Sequence, residues 1–227
     1  MIFLPLKSSL KSTLRSTASR FSLRNYTRRF RDDERGIAAI EFAIIAPIMI
    51  GMYFGLAEIA HALSTDRKIS HGTNVAGDLA TQQPEIVDDG IEEIISAALR
   101  VMDIPDVQNV SIDIESFILP AAGQPAESQG RIRLNNAISN FDSYDTTNLD
   151  TKLLNENSGV VVTRVRYKYT PIEARFFDTT VTLEETFLLK PRRSDLVTIQ
   201  NGAGSLVDCG ATHYSNVLCS VTASTTP

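Results

Sequence analysis

Histidine and cysteine are scarce in this chain: His61, His71 and His213 are the three histidines, and Cys209 and Cys219 the two cysteines. One imidazole near two thiols is too few donors for a structural zinc site, and the spacing follows no zinc pattern. No nucleophile constellation surrounds the histidines. A Gly-x-Ser-x-Gly elbow is missing, as is a glycine-rich phosphate loop. Acidic pairs do occur (Asp88-Asp89, Glu92-Glu93 and Glu184-Glu185), but their spacing singles out no acid/base couple and they read as solvated faces. No internal repeat is evident. The expectation is a protein that is not an enzyme, with no metal, no cofactor and no small-molecule substrate.

Acid is also missing from the first 31 residues, which are rich in Arg, Lys, Ser and Thr. Residues 1–36 hold nine Lys/Arg and three acids, a net of +6, whereas the remainder holds 13 basic and 24 acidic residues, a net of −11. Lys and Arg beside a membrane segment are retained on the cytoplasmic side. The split therefore predicts an N-terminus that stays inside and an acidic part that is exported. A nucleic-acid-binding tail fits less well, because the charge ends within one residue of an apolar run. Anionic lipid headgroups are compatible partners for such a leader. A mitochondrial presequence shares this composition but leaves the features of the next segment unexplained. A secretory signal has a shorter apolar core, ~7–15 residues, ending at a small-x-small site.

That next segment is Gly36 to Leu63, GIAAIEFAIIAPIMIGMYFGLAEIAHAL. At 1.5 Å per residue it spans ~40 Å, enough for a ~30 Å hydrocarbon core with some tilt. Glu41 lies inside it. A charge there costs at least ~2.5–3.5 kcal/mol on insertion scales, so an intramembrane carboxylate is a functional hypothesis by default. The alternative is a carboxylate near the boundary that snorkels to water. Pro47 removes one helix hydrogen bond and predicts a kink. Gly51 and Gly55 form a Gly-x-x-x-Gly pair that lets another helix approach closely, a motif that is weak alone. Glu58 and His61, one turn apart, could pair; the plainer reading is that they mark the outer interface.

A basic cluster, then Gly36-Ile37-Ala38-Ala39-Ile40-Glu41-Phe42, then an apolar helix: this order resembles the processing site of type IV prepilins. It is most similar to the TadE-like pseudopilins of the tight-adherence (Tad/Flp) pilus system. The resemblance implies cleavage between Gly36 and Ile37 by a prepilin peptidase. It implies that Glu41, fifth in the mature chain and followed by Phe42, pairs with the new α-amine of a neighbouring subunit. That amine has a pKa near 8 and is mostly charged at neutral pH. Without cleavage, Gly36 merely starts a helix. The leader of 36 residues suits long-leader prepilins. Further on, Tyr167-Lys168-Tyr169-Thr170-Pro171 and Lys190-Pro191-Arg192 resemble the C-terminal part of TadE-like proteins, with less specificity. TadG-like relatives carry Asp-x-Ser-x-Ser metal motifs in a larger domain. This chain has none and is short, which favours a TadE-like or TadF-like role.

Helical character is predicted to run on to about residue 83, since residues 64–83 contain no proline and Leu63, Ile69, Ala76, Leu79 and Ala80 form a sparse stripe. Pro84 ends it. A second helix is predicted over Pro84–Asp103 from Ile86, Val87, Ile91, Ile94, Ile95, Ala98, Leu99 and Met102. Strands are predicted over Val107–Leu119, Arg131–Asn135, Gly159–Thr170 and Thr179–Lys190. Residues 136–158 read as a polar surface excursion, and the chain from Ser194 on as a weakly ordered tail. If exported, Cys209 and Cys219 can form a disulfide closing a loop of about ten residues; otherwise they are free thiols.

The expected fold class is α+β: a long N-terminal transmembrane helix followed by a small exported domain of one helix and about four antiparallel strands. The expected domains are a basic cytoplasmic leader (1–36), a transmembrane and extended helix (37–83), an exported head (84–193) and a flexible tail (194–227). The expected place is the bacterial inner membrane, single-pass, with the C-terminal domain periplasmic. By the resemblance, the partners are the prepilin peptidase, other pilin-like subunits and the Tad secretion machinery. The rivals are an uncleaved structural adaptor and a membrane-anchored periplasmic enzyme.

Overall fold

The computed structural model describes residues 35–120, 124–135, 141–149, 157–171, 180–200 and 202–222. The leader, apart from its last two residues, lies outside them. The chain divides between Met52 and Tyr53 into two units.

Helix α1 runs over Arg35–Thr81 and includes Pro47. Through residues 36–54 its side chains are exposed, Ala46 alone being half-buried. Ile37, Phe42 and Met52 are 64%, 72% and 68% exposed. Exposed apolar surface on this scale in a helix long enough to cross a bilayer is what a lipid-facing segment presents.

Beyond Leu63 the helix changes character. Ile69, Gly72, Thr73, Ala76, Gly77 and Ala80 are buried at three- and four-residue spacing, one stripe of a 3.6-residue period. Most of the stripe is small, so the helix lies close on its neighbours. A Cβ on Gly77 would stand 2.9 Å from Thr163 Oγ1 and would also strike Leu189 Cδ1. A Cβ on Gly72 would strike the Met102 side chain and stand 3.2 Å from the Ala98 carbonyl oxygen. The helix ends at Thr81, two residues before the expected bound near 83. The Thr81 hydroxyl donates to the Asp78 carbonyl at 2.9 Å, and the Arg192 N–H caps the Thr81 carbonyl at 3.0 Å.

A two-residue strand β1 (Glu85–Ile86) precedes helix α2, Asp88–Met102. Helix α2 buries Ile91, Ile94, Ile95, Ala98, Leu99 and Met102, the predicted face. Asp88 and Asp89 fall in its first turn and Arg100 in its last, as the helix dipole favours.

The remaining strands are β2 (Val110–Ile118), β3 (Glu127–Asn135), β4 (Gly159–Tyr169), β5 (Val181–Leu189), β6 (Thr198–Ile199), β7 (Leu206–His213) and β8 (Asn216–Thr222). Six of them form one sheet in the order β5-β4-β2-β3-β7-β8. All its ladders are antiparallel except β3–β7, which is parallel. The α+β class is therefore as expected, and the four predicted strands are β2 to β5. The sheet is larger than expected and mixed.

The stretch read as a weakly ordered tail supplies the difference. Strand β6 pairs in parallel with β1, and β7 and β8 form a hairpin on the far side of β3. The reason is the pattern Val207-x-Cys209-x-Ala211, whose small side chains are 1%, 5% and 4% exposed. Alternation this weak in bulk is easily lost among Gly, Ser and Thr.

The core lies between the helices and one face of the sheet. Ile112, Ile114, Ile132, Leu134, Val161, Val165 and Val207 meet Ile69, Ala76, Ala80 and the apolar face of α2 there.

Candidate functional site

The residues proposed for processing and pairing sit at the start of α1. Gly36 has open space around it, with no atom within 4 Å of where a Cβ would stand. Ile37 and Glu41 are exposed, and Glu41 makes no hydrogen bond or ion pair among the described residues. Gly51 and Gly55 are likewise open at their Cβ positions. The first turns of the helix thus present a bare backbone site and a carboxylate unpaired among the described residues, and Gly51 and Gly55 present a flat glycine pair farther along.

Glu58 is not paired with His61. The Tyr169 hydroxyl, at the end of β4, donates to Glu58 Oε1 at 2.5 Å. Tyr169 is 7% exposed. Burial, and then the bond to Glu58 and its charge, push the Tyr169 hydroxyl up to about 12. The bond is formed because β5 runs alongside α1 in the same direction. Val181 and Leu183 lie by Glu58 and Ala62, and Leu189 lies at Gly77. Eight residues of strand rise ~26 Å and the helix from 58 to 77 rises ~28 Å, so the two keep step. Between them, at the Glu58 end, opens a cleft of about 320 Å³.

The other face of the sheet carries a buried ionic network. Asp113, fully buried, receives Arg131 Nε at 2.5 Å and Arg164 Nη2 at 2.6 Å. Glu115 accepts from the Ser143 hydroxyl at 2.9 Å and the Tyr144 N–H at 3.1 Å. Arg131 and Arg164 also donate to the carbonyls of Phe141 and Asp142. The Arg164 guanidinium stacks 4.8 Å from the Phe141 ring centroid, and that of Arg166 4.1 Å. Every charge here is matched and hydrogen-bonded, which is the condition for burying it. The network fastens residues 141–149 to the sheet. It is a clamp. The excursion predicted over 136–158 is in this part a covering segment.

Sequence reasoning missed this clamp, although its signal is present. Asp113-Ile-Glu115 on β2 faces Arg131-Ile-Arg133 on β3 and Arg164-Val-Arg166 on β4. Acid-x-acid between two Arg-x-Arg repeats marks one sheet face with matched charge. The acidic pairs read as solvated faces are partly engaged: Glu184 holds Arg166 at 2.8 Å, Asp88 accepts from Gln200, and Glu92 accepts the Cys219 N–H at 3.2 Å.

Cys209 and Cys219 form a disulfide across β7 and β8, with Cα atoms 4.0 Å apart. They face each other in register. The Cys219 N–H points away from β7, to Glu92, so this is a non-hydrogen-bonded pair, where side chains approach most closely. Among the described residues no cluster of His, Cys, Asp or Glu could hold a metal ion.

Residues 36–78 match the family model described as TadE-like protein. The match starts at the junction glycine, follows α1 and ends before the sheet. No curated protein and no solved structure matches the chain.

Proposed function

We propose that the chain is a single-pass pseudopilin of a Tad-type pilus machine. A prepilin peptidase at the cytoplasmic face of the bacterial inner membrane cleaves it between Gly36 and Ile37. The basic leader keeps the N-terminus inside, and the head is exported to the periplasm. The mature helix packs with those of other pilin-like subunits, and the head contributes to starting, capping or assembling the filament within the Tad secretion machinery.

The observation that carries this reading is the TadE-like match over 36–78 on a helix whose first turns leave Gly36 open and Glu41 without a partner among the described residues. A carboxylate in hydrocarbon needs a counter-charge, and the α-amine released at Ile37 on a neighbouring subunit provides one. Pairing of that kind fixes the axial offset between subunits. Gly51 and Gly55, open in the single chain, leave a flat surface for a second helix.

Complementation of a deletion strain tests it. The wild-type gene restores surface pili. Glu41→Gln yields a membrane-inserted protein at normal abundance but few or no pili. Full piliation by Glu41→Gln would leave the uncleaved adaptor as the better reading.

A further inference from the structure

The two edges of the six-stranded sheet, β8 and β5, are not alike. At β8 the outward N–H of Cys219 is taken up by Glu92 of α2, the disulfide ties the strand to β7, and the ladder between them slips register between Ala211 and His213. Strand β5 has no such device. It runs nine residues, pairs with β4 at every position without a slip, and holds no proline, lysine or arginine. Native sheet edges are normally kept short, bulged, charged with lysine or covered. Among the described residues nothing hydrogen-bonds to the backbone of β5 on the side away from β4. All of its residues are at least partly exposed.

Charge along this edge is of one sign. Leu183, Glu185 and Phe187 alternate onto the side that Leu189 turns to Gly77 of α1. Glu184, on the other side, is held by Arg166 at 2.8 Å. Glu185 is half-buried and has no hydrogen bond or ion pair among the described residues. On α1, Asp66 is in the same condition. It precedes Gly77 by about three turns and so lies on the same side of the helix. Its rise below Gly77, ~16 Å, is close to the ~13 Å between Glu185 and Leu189 along β5. Helix and strand run in the same direction, so the two acids stand at nearly one level beside the open edge. The neighbouring Lys68 is engaged by Asp103 at 3.3 Å. A cation for Glu185 has to come from outside the described chain.

We propose that β5 is a docking edge for an extended segment of another protein, which adds to the sheet as a further strand and sets a Lys or Arg opposite Glu185, with apolar side chains two positions to either side. Backbone hydrogen bonds supply the affinity of such a joint, and the alternate side chains select the partner. The apolar positions meet Leu183 and Phe187, and the cation meets Glu185 with Asp66 close by. A second copy pairing through its own β5 does not fit this pattern. Antiparallel registers that overlap most of the strand set Glu185 against Glu185 or Glu184 against Glu184, and like charges directly opposite destabilise a sheet. All these residues belong to the unit from Tyr53 on, and the docking needs no cleavage at Gly36.

The probe is a fluorescent peptide, Val-Thr-Val-Thr-Lys-Thr-Val-Thr-Val, whose sequence reads the same in both directions and so suits either strand polarity. A matched peptide carries Glu at its centre. Each is titrated by fluorescence anisotropy against the full-length, detergent-solubilised protein, and backbone amide exchange is followed by mass spectrometry. The Lys peptide is expected to bind about tenfold more tightly than the Glu peptide and to slow exchange within 181–189. Glu185→Lys removes that preference; the disulfide and the melting temperature check that this variant is folded. No protection of 181–189 by the Lys peptide would overturn the proposal. Equal binding of the two peptides, or a preference for Lys that survives Glu185→Lys, would do the same. Protection of 181–189 that grows with protein concentration alone would assign the edge to a second copy and overturn it as well.

Discussion

The Tyr169 hydroxyl donates a hydrogen bond to the Glu58 carboxylate, joining the end of β4 to helix α1. Hydrogen bonds to charged groups contribute about 1.5–3 kcal/mol. Glu58 is half-buried, so Tyr169→Phe is expected to cost an amount near the lower end, about 1.5 kcal/mol. Thermal unfolding of the detergent-solubilised protein measures it. An unchanged melting temperature would show that water replaces the tyrosine without loss.

The same pair gives a pH dependence. Folded Tyr169 holds its proton up to about 12, whereas an unfolded tyrosine releases it near 10. Between these values the folded state binds more protons, so stability present below pH 10 falls as pH rises toward 12. Burial, and then Asp106, also raise Tyr167, which adds to the slope. Tyr169→Phe should reduce the slope across that window. An equal slope in the variant would assign the effect to other groups.

Asp113 is the keystone of the outer-face clamp, fully buried between Arg131 and Arg164. Asp113→Ala leaves two poorly exposed guanidinium groups without their counter-charge. The expected loss is about 3–5 kcal/mol. Breaking the more exposed Arg166–Glu184 pair by Glu184→Ala should cost no more than about 1 kcal/mol. Chemical denaturation of both variants side by side checks the ratio, and equal losses would contradict the clamp.

Four glycines of α1 should behave in two ways. At Gly72 and Gly77 a methyl group meets packed atoms, and overpacking costs about 1–3 kcal/mol, offset in part by the better helix propensity of alanine. At Gly51 and Gly55 nothing stands in the way, so alanine leaves the melting temperature of the solubilised protein unchanged. A fall in pilus number with Gly51→Leu, at normal protein abundance, would locate the helix-pairing surface. Normal piliation would remove Gly51 from it.

The disulfide ring holds the β7–β8 hairpin, an edge of the sheet. The loop-entropy model gives ~2–3 kcal/mol for a loop of this size. Reduction, or Cys209→Ala with Cys219→Ala, should release the hairpin first. Limited proteolysis would then cut within 206–222 before the rest of the head. Unchanged protection would mean that Glu92 and the buried Val217 hold the hairpin without the bridge.

The helices and the strands β2 to β5 were legible in the chain because their apolar residues are large and periodic. The spacing of Ile91, Ile94, Ile95, Ala98, Leu99 and Met102 admits little but a helix face. Strands β6 to β8 were not legible. Their inward residues are mostly Cys, Ala and Val, and β6 and β1 have two residues each. The open glycine and carboxylate at the helix start could be placed by order along the chain. The Glu58–Tyr169 bond could not, since 111 residues separate its partners and only the tertiary fold brings them together.

The central claim is processing at the junction glycine, and the N-terminus of the membrane-purified protein tests it most directly. It should be sequenced from cells with and without the prepilin peptidase. The account predicts a chain beginning at Ile37 when the peptidase is present and at Met1 when it is absent. A chain beginning at Met1 in both would contradict it, and Glu41 would then have no amine to meet.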